Sequence, residues 1–206
     1  MAREGHRLFA ALYDRANAAL ERKWMGEQRE ALLSAVRGEV LEIGGGTGAN
    51  LPYYRDVERL TISEPDPFMR GKLWPKLGAA SIPVEISDAG AESLPFPDDA
   101  VISTLVLCTV PDQRAALREV RRVLRPGGRL LFIEHVRGEG RATRWQDRVT
   151  PLWRRMFAGC HPNRDTVASI EAAGFRLDAL QRFLPPVPLS ALTPHVQGAA
   201  TPRSSP

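Results

Sequence analysis

Residues 40–50 read VLEIGGGTGAN. The opening run is apolar except for Glu42, is β-branched at Val40 and Ile43, and is too short for a helix, which predicts a buried strand. Gly44, Gly46 and Gly48 follow, and without a Cβ they let the backbone turn sharply and come close to a ligand. Ala49, Asn50 and Leu51 then begin a helix whose free N–H groups face the same spot. Strand, glycine turn and helix N-terminus make a nucleotide cradle. The spacing is loosely compatible with a dinucleotide fingerprint if Ala49 takes the last small position. Glu42 narrows the choice: two residues before the first glycine, its carboxylate repels phosphate and favours an ammonium or sulfonium ligand. A glycine-rich turn that binds nothing is the bland alternative.

Working outward, 206 residues suffice for one domain with a full core and a small appendage. No apolar run approaches the length of a membrane span. The N-terminus MAREGHRLFAALYDR is basic but lacks a clean apolar core and a cleavage site, so a mature cytoplasmic protein without a membrane anchor is expected. The only cysteines are Cys108 and Cys160, too few for a disulfide framework or a structural zinc site. Cys160-His161 adjacency has no second pair beside it, so no metal is expected. The net charge of +4 is carried by scattered arginines. Arg118, Arg121, Arg122 and Arg125 cluster as one solvated helix face without interleaved aromatics, so no nucleic-acid partner is expected.

The chain alternates helical and strand patterns. Leu8 to Val36 carries a helical apolar stripe. Val57 to Ile62 reads as a strand ending in Ser63, Glu64, Pro65 and Asp66. An acid there is suited to accept two hydrogen bonds from ribose hydroxyls, which makes Glu64 a candidate. Asp66 is a cap for a helix from Phe68 to Leu77, with Pro67 in its first turn. Further strands are expected at Ile82–Ile86, from Ala100 to about Leu105, at Arg129–His135, at Phe175–Leu184 and around Pro194–Gly198. Helices are expected at Asp112–Leu124 and Thr166–Ala173. Aromatic residues among the arginines of Arg137–Phe157, Trp145 and Trp153 included, suggest a pocket wall or a packed amphipathic helix.

The pattern E-x-G-x-G-x-G after a strand, continued by Pro126-Gly127-Gly128, resembles the class I S-adenosylmethionine-dependent methyltransferases. Within them the chain is similar to the small-molecule enzymes that act on quinones and alkyl thiols. The run Ser103–Asp112 and the run Gly159-Cys160-His161 resemble the thiol group. The resemblance implies an α/β Rossmann-like fold, a seven-stranded, mostly parallel sheet with an antiparallel last strand, and S-adenosylmethionine as cofactor. It implies a helical lid over residues 1–38, a methyltransferase domain over 39–200 and a disordered tail over 201–206. Glu42, Gly44, Gly46, Gly48 and Asn50 would hold the methionine end, Glu64 and Pro65 the ribose, and Asp88 and Ala91 the adenine. Leu107 would face the methyl group. Tyr13, Cys108, Trp145, Trp153 and Cys160 would line the acceptor pocket. Two departures stand out: Gly90 replaces an acid near the adenine, and a segment before strand four is missing, so that strand is expected to begin short.

The implied reaction is an in-line displacement in which the enzyme aligns the acceptor and excludes water. His135 and His161 are candidate bases, with Asp165 as an orienting acid; for His135, a hydrogen bond to substrate or a structural role are the alternatives. A small thiol is the favoured acceptor. Oxygen, nitrogen or carbon acceptors of a secondary metabolite or quinone, a nicotinamide-dependent oxidoreductase, and a non-catalytic cofactor-binding module stay open.

Overall fold

The computed structural model describes Arg7, Ala11 and residues 24–94, 97–186, 190 and 193–203. Seven strands run β1 Arg37–Ile43, β2 Asp56–Ser63, β3 Val84–Ser87, β4 Asp98–Thr104, β5 Leu124–His135, β6 Phe175–Phe183 and β7 His195–Pro202. They form one sheet in the order β3-β2-β1-β4-β5-β7-β6. The pairs from β3 to β5 are all parallel. β7 inserts antiparallel between β5 and β6.

Period-two alternation along the central strands feeds two cores. Leu41, Val101, Leu130 and Phe132 face one side, where they meet Leu117 and Val120 of α3 (Gln113–Val123) and Ile170 of α5 (Thr166–Ala172). Val40, Ile102 and Leu131 face the other side. There they meet Leu33 of α1 (Gly26–Leu33) and Leu73 of α2 (Pro67–Leu73). Cover on both faces is why the middle of each strand, Val40-Leu41 in β1 and Ala100–Ile102 in β4, is apolar on successive residues rather than alternating with polar ones. A fifth helix, α4 (Arg141–Met156), follows β5. No helix among the described residues is long and apolar enough to cross a membrane.

Aspartates start three of these helices. Asp66 Oδ1 accepts from the N–H of Phe68 at 2.8 Å and Met69 at 3.3 Å. Asp112 accepts from Ala115 N–H at 2.9 Å and Asp165 from Ala168 N–H at 3.0 Å. Each satisfies an N–H that the helix itself leaves without an acceptor.

Several boundaries differ from the sequence expectation. The helix expected after the glycine loop is a single 3-10 turn, Leu51–Tyr53, because β2 already begins at Asp56 and leaves no room for more. The α2 helix stops at Leu73 and passes into a 3-10 segment, Trp74–Ala79, where Pro75 interrupts the α ladder. β4 does not begin short: it starts at Asp98, immediately after the loop. The expected tail is shorter, since Thr201 and Pro202 pair with Arg176 and Phe175 in the sheet. Most of the expected N-terminal lid, Tyr13 included, lies outside the described residues.

Asp98 is fully buried, and neither carboxylate oxygen has a hydrogen-bond partner. Burial raises its carboxyl to about 6, against the pull of Arg59.

Candidate active site

The glycine loop leaves β1 and lies at the carboxyl ends of β1 and β2. Gly44 N–H donates to Ser63 O at 2.6 Å, tying the loop to the end of β2. Gly48 N–H closes the turn on Gly45 O at 2.9 Å. At Gly46, φ is +57°, and an added Cβ would meet nothing nearer than Gly44 O at 4.0 Å. Its bare face is open space beside the Glu64 carboxylate. Glu64 Oε2 accepts from Gly46 N–H and Oε1 from Asp66 N–H, both at 2.8 Å. Burial raises the Glu64 carboxyl, and those two N–H groups oppose the shift. A carboxylate has room for further donors, so Glu64 can take a ribose diol while it holds the loop. Pro65, half-buried, separates Glu64 from the capping Asp66. An open glycine face beside an acid at the end of β2 fits a nucleoside cofactor.

Glu42 plays a different part from the one its position suggests. On β1 it shares a face with Val40, so it points into the second core rather than into the crevice. It is 3% exposed. Its oxygens accept from Asn50 Nδ2 at 3.0 Å and from the Tyr54 hydroxyl at 2.9 Å. Arg29 in turn donates to Asn50 Oδ1. Burial pushes the Glu42 carboxyl up to about 7, opposed by Tyr54, Arg29 and Asn50. Asn50 also donates to Thr104 Oγ1 at 3.1 Å, which ties the glycine loop to the end of β4. Arg29 and Tyr54 escaped the sequence reading; a buried acid that must be matched by donors is the signal that points to such partners.

The turn after β4 is held by two charges of opposite sign. Glu134, fully buried, accepts from Ser103 Oγ at 2.6 Å and from the N–H groups of Val106, Leu107 and Cys108 at 3.0, 3.0 and 3.1 Å. Arg164 grips the carbonyl side, donating to Leu107 O at 2.9 Å and Val110 O at 2.7 Å. Between them Leu105 adopts φ +61°, a left-handed conformation that costs a non-glycine residue about 1–2 kcal/mol. The sequence gives neither residue this role. The signal was an acid ending the otherwise apolar run Leu130–Ile133: a buried carboxylate needs donors, and successive backbone N–H groups supply them.

This turn touches the glycine loop. A Cβ on Gly44 would lie 2.6 Å from Val106 Cγ2, so only glycine permits the approach. Two residues further on, Cys108 meets His135 and Cys160. Cys160 Sγ is 3.3 Å from His135 Nδ1, Cys108 Sγ is 4.0 Å from the same nitrogen, and the two sulfurs are 3.7 Å apart. Both thiols are buried and unbonded. Their mutual contact raises the Cys108 thiol and lowers that of Cys160, to which Trp153 adds. The His135 ring packs at a tilt against His195, with ring centroids 4.2 Å apart and planes at 58°. Burial, with His135 alongside, pushes the His195 imidazole far down, so that it is neutral.

Other expected site residues fall apart spatially. Asp165 is exposed and caps α5, which corrects its reading as an orienting acid: its carboxylate is aimed at the helix N-terminus. His161 is half-buried, its Nδ1 has no partner, and burial lowers its imidazole. Leu107 is fully buried in the first core, so its backbone rather than its side chain borders the crevice. Ala91 packs into the same core, and Asp88 is exposed. On α4, Trp145 is 54% exposed. Trp153 packs on Phe157 at 4.3 Å.

Comparison with known proteins identifies the family. The family model described as a methyltransferase domain matches residues 41–132. The thiol S-methyltransferase TMT1A of Homo sapiens is 33% identical over 200 residues, covering 93% of this chain and 82% of that protein. TMT1B of Homo sapiens, likewise a thiol S-methyltransferase, is 34% identical over 94% of this chain and 84% of its own length. A chain solved in complex with the Haloferax volcanii Trm112 methyltransferase activator superposes with a TM-score of 0.72 over 98% of this chain and 100% of its own, at 15% identity, a likeness of fold. This chain is therefore a member of the class I S-adenosylmethionine-dependent methyltransferase family, and S-adenosylmethionine is its cofactor.

Proposed function

We propose that the protein methylates the sulfur of a small thiol. The observation that carries this reading is the Cys108–His135–Cys160 triangle, whose Cys108 lies two residues beyond the Val106 that meets Gly44. It gives the acceptor side of the crevice a soft, largely buried surface. Among the described residues, neither His135 nor His161 has a carboxylate partner, and Glu134 is spent on backbone N–H groups. A hydroxyl acceptor would demand an oriented strong base. A thiol ionises near pH 8–9 and needs only a modest push. The thiol specificity in the names of the two human relatives supports the same choice.

The bound cofactor supplies a methyl group on a sulfonium, whose departure leaves a neutral thioether. The chain supplies position. Glu64 and the open face of Gly46 hold the nucleoside. Glu42, Asn50 and Tyr54 brace the loop from behind. Glu134 and Arg164 fix the turn that carries Cys108, which sets the acceptor in line with the methyl group. Burial around Cys108 and Cys160 keeps water from the reacting sulfur.

The test is product mass spectrometry with S-adenosylmethionine and a panel of alkyl thiols, phenols, amines and a quinol. S-methylated product from the thiols alone is expected. Conversion of a phenol or quinol with the thiols untouched overturns the acceptor. Cofactor binding with no product from any acceptor points to a binding module.

A further inference from the structure

We propose that Cys108, His135 and Cys160 bind a zinc ion and leave its fourth position open to the thiolate of the acceptor. The inference rests on the thiol reading above and adds how the thiol is held and deprotonated.

Geometry carries it. Zinc binds thiolate at about 2.3 Å and imidazole at about 2.0–2.1 Å, so a tetrahedral site sets its sulfurs about 3.8 Å apart and each sulfur about 3.6 Å from the nitrogen. The sulfurs here are 3.7 Å apart, and Nδ1 lies 3.3 and 4.0 Å from them. The three atoms thus stand near three corners of a zinc tetrahedron, with no rearrangement beyond a few tenths of an ångström. Three protein ligands with one vacant corner is the arrangement of catalytic rather than structural zinc, and a soft thiolate pair with one imidazole suits zinc over harder cations.

The ligands come from three separate elements, and each is anchored. Cys108 is fixed through its N–H on Glu134 at 3.1 Å and through its carbonyl, which accepts from His161 N–H at 2.8 Å. The loop bearing Cys160 is stitched to α4, where Gln146 Nε2 donates to Pro162 O at 2.9 Å and to Val136 O at 3.2 Å. The His135 ring is braced by the tilted ring of His195 packed against it, whose Nδ1–H donates to Thr193 O at 2.8 Å. Such outer contacts orient metal ligands. Sequence spacing hides the site, because the imidazole that meets Cys160 is His135 and not its neighbour His161.

In the step this permits, the acceptor thiol loses its proton to water as it joins the metal. A lone pair of its sulfur forms the new S–CH3 bond while the methyl–sulfonium bond breaks. The electron pair of the broken bond stays on the cofactor sulfur, giving S-adenosylhomocysteine. The methylated product is a thioether, a weak ligand, and water displaces it. No oxidant or reductant is needed.

The full chain, purified and dialysed against zinc, is expected to retain about one zinc per chain by elemental mass spectrometry. Cys108→Ser, Cys160→Ser and His135→Gln should each weaken zinc retention at least about tenfold. Calorimetric binding of S-adenosylhomocysteine reports whether each variant is folded. Cobalt in place of zinc should give a thiolate charge-transfer band that strengthens when ethanethiol adds a third sulfur. A folded chain that takes up no zinc, zinc retention indifferent to all three substitutions, or a cobalt spectrum blind to ethanethiol overturns the inference. Full-rate methylation of ethanethiol by chelator-stripped protein overturns the metal but leaves the thiol reading standing. Zinc retention and the cobalt response without any methyl transfer support the metal site and sink the thiol reading instead.

Discussion

Glu134 accepts the backbone N–H of Cys108 at 3.1 Å across a sequence separation of 26 residues. That single carboxylate also collects the N–H groups of Val106 and Leu107 and the Ser103 hydroxyl. In Glu134→Gln one oxygen becomes an NH2 group that faces donors. We expect a loss of about 2–4 kcal/mol in urea denaturation, together with a fall in methyl transfer as Cys108 loses its anchor. An unchanged denaturation midpoint would show that the turn is held by other means.

Gly44 and Gly46 should fail in different ways. Gly44→Ala drives a methyl group into Val106, whose Cγ2 lies 2.6 Å from where the new carbon would sit, so the thermal midpoint should drop clearly. Gly46→Ala meets open space, and its cost to the fold is the positive φ alone, about 1–2 kcal/mol. Its methyl group would occupy the cofactor face, so S-adenosylhomocysteine affinity should fall more steeply than stability. Calorimetry and thermal melts on the two variants check the contrast, and equal effects on both readouts would refute it.

Glu64→Gln should weaken S-adenosylhomocysteine binding at least about tenfold, the scale of one lost charged hydrogen bond. Part of that loss comes from loosening Gly46, whose N–H Glu64 holds at 2.8 Å. Binding within a factor of about two of the parent would remove Glu64 from the ribose site.

Asp98 sets a pH dependence. Burial raises its carboxyl from 3.8 to about 6. The folded state therefore holds this proton more tightly than the unfolded chain. The stability it confers is complete below pH 4 and is lost as pH rises through about 6. Asp98→Asn removes that dependence. Between pH 4 and pH 7 the parent should lose about 2–3 kcal/mol relative to the variant. Urea denaturation at both pH values measures it, and parallel behaviour of the two proteins would contradict it.

Local patterns were legible in the sequence. The strand and glycine turn of residues 40–50 and the Asp66 cap depend on neighbours a few positions apart, and they stand where the sequence puts them. The sequence marks Asp66 as a cap, whereas Asp165, which caps α5 in the same manner, looks in the sequence like an orienting acid. A cap and an orienting acid look alike until the helix beside them is placed. Glu42 was legible as an important acid, but its direction was not, because the face of β1 it occupies is decided by packing. Glu134, Arg164 and the meeting of Cys108 with His135 and Cys160 join residues far apart in the chain. No spacing rule reports such pairs; only the carboxyl ends of adjacent parallel strands bring them together.

The place of β7 between β5 and β6 bears on how the protein is made. β7 is the last of the seven strands to leave the ribosome, yet among the described residues β6 has no other partner and β5 has no other neighbour on that side. A nascent chain that has delivered β6 can pair every parallel strand, but it still exposes two open edges. It also leaves His135 without the His195 ring that braces it. Synthesis order therefore builds the cofactor side of the crevice first and the acceptor side last.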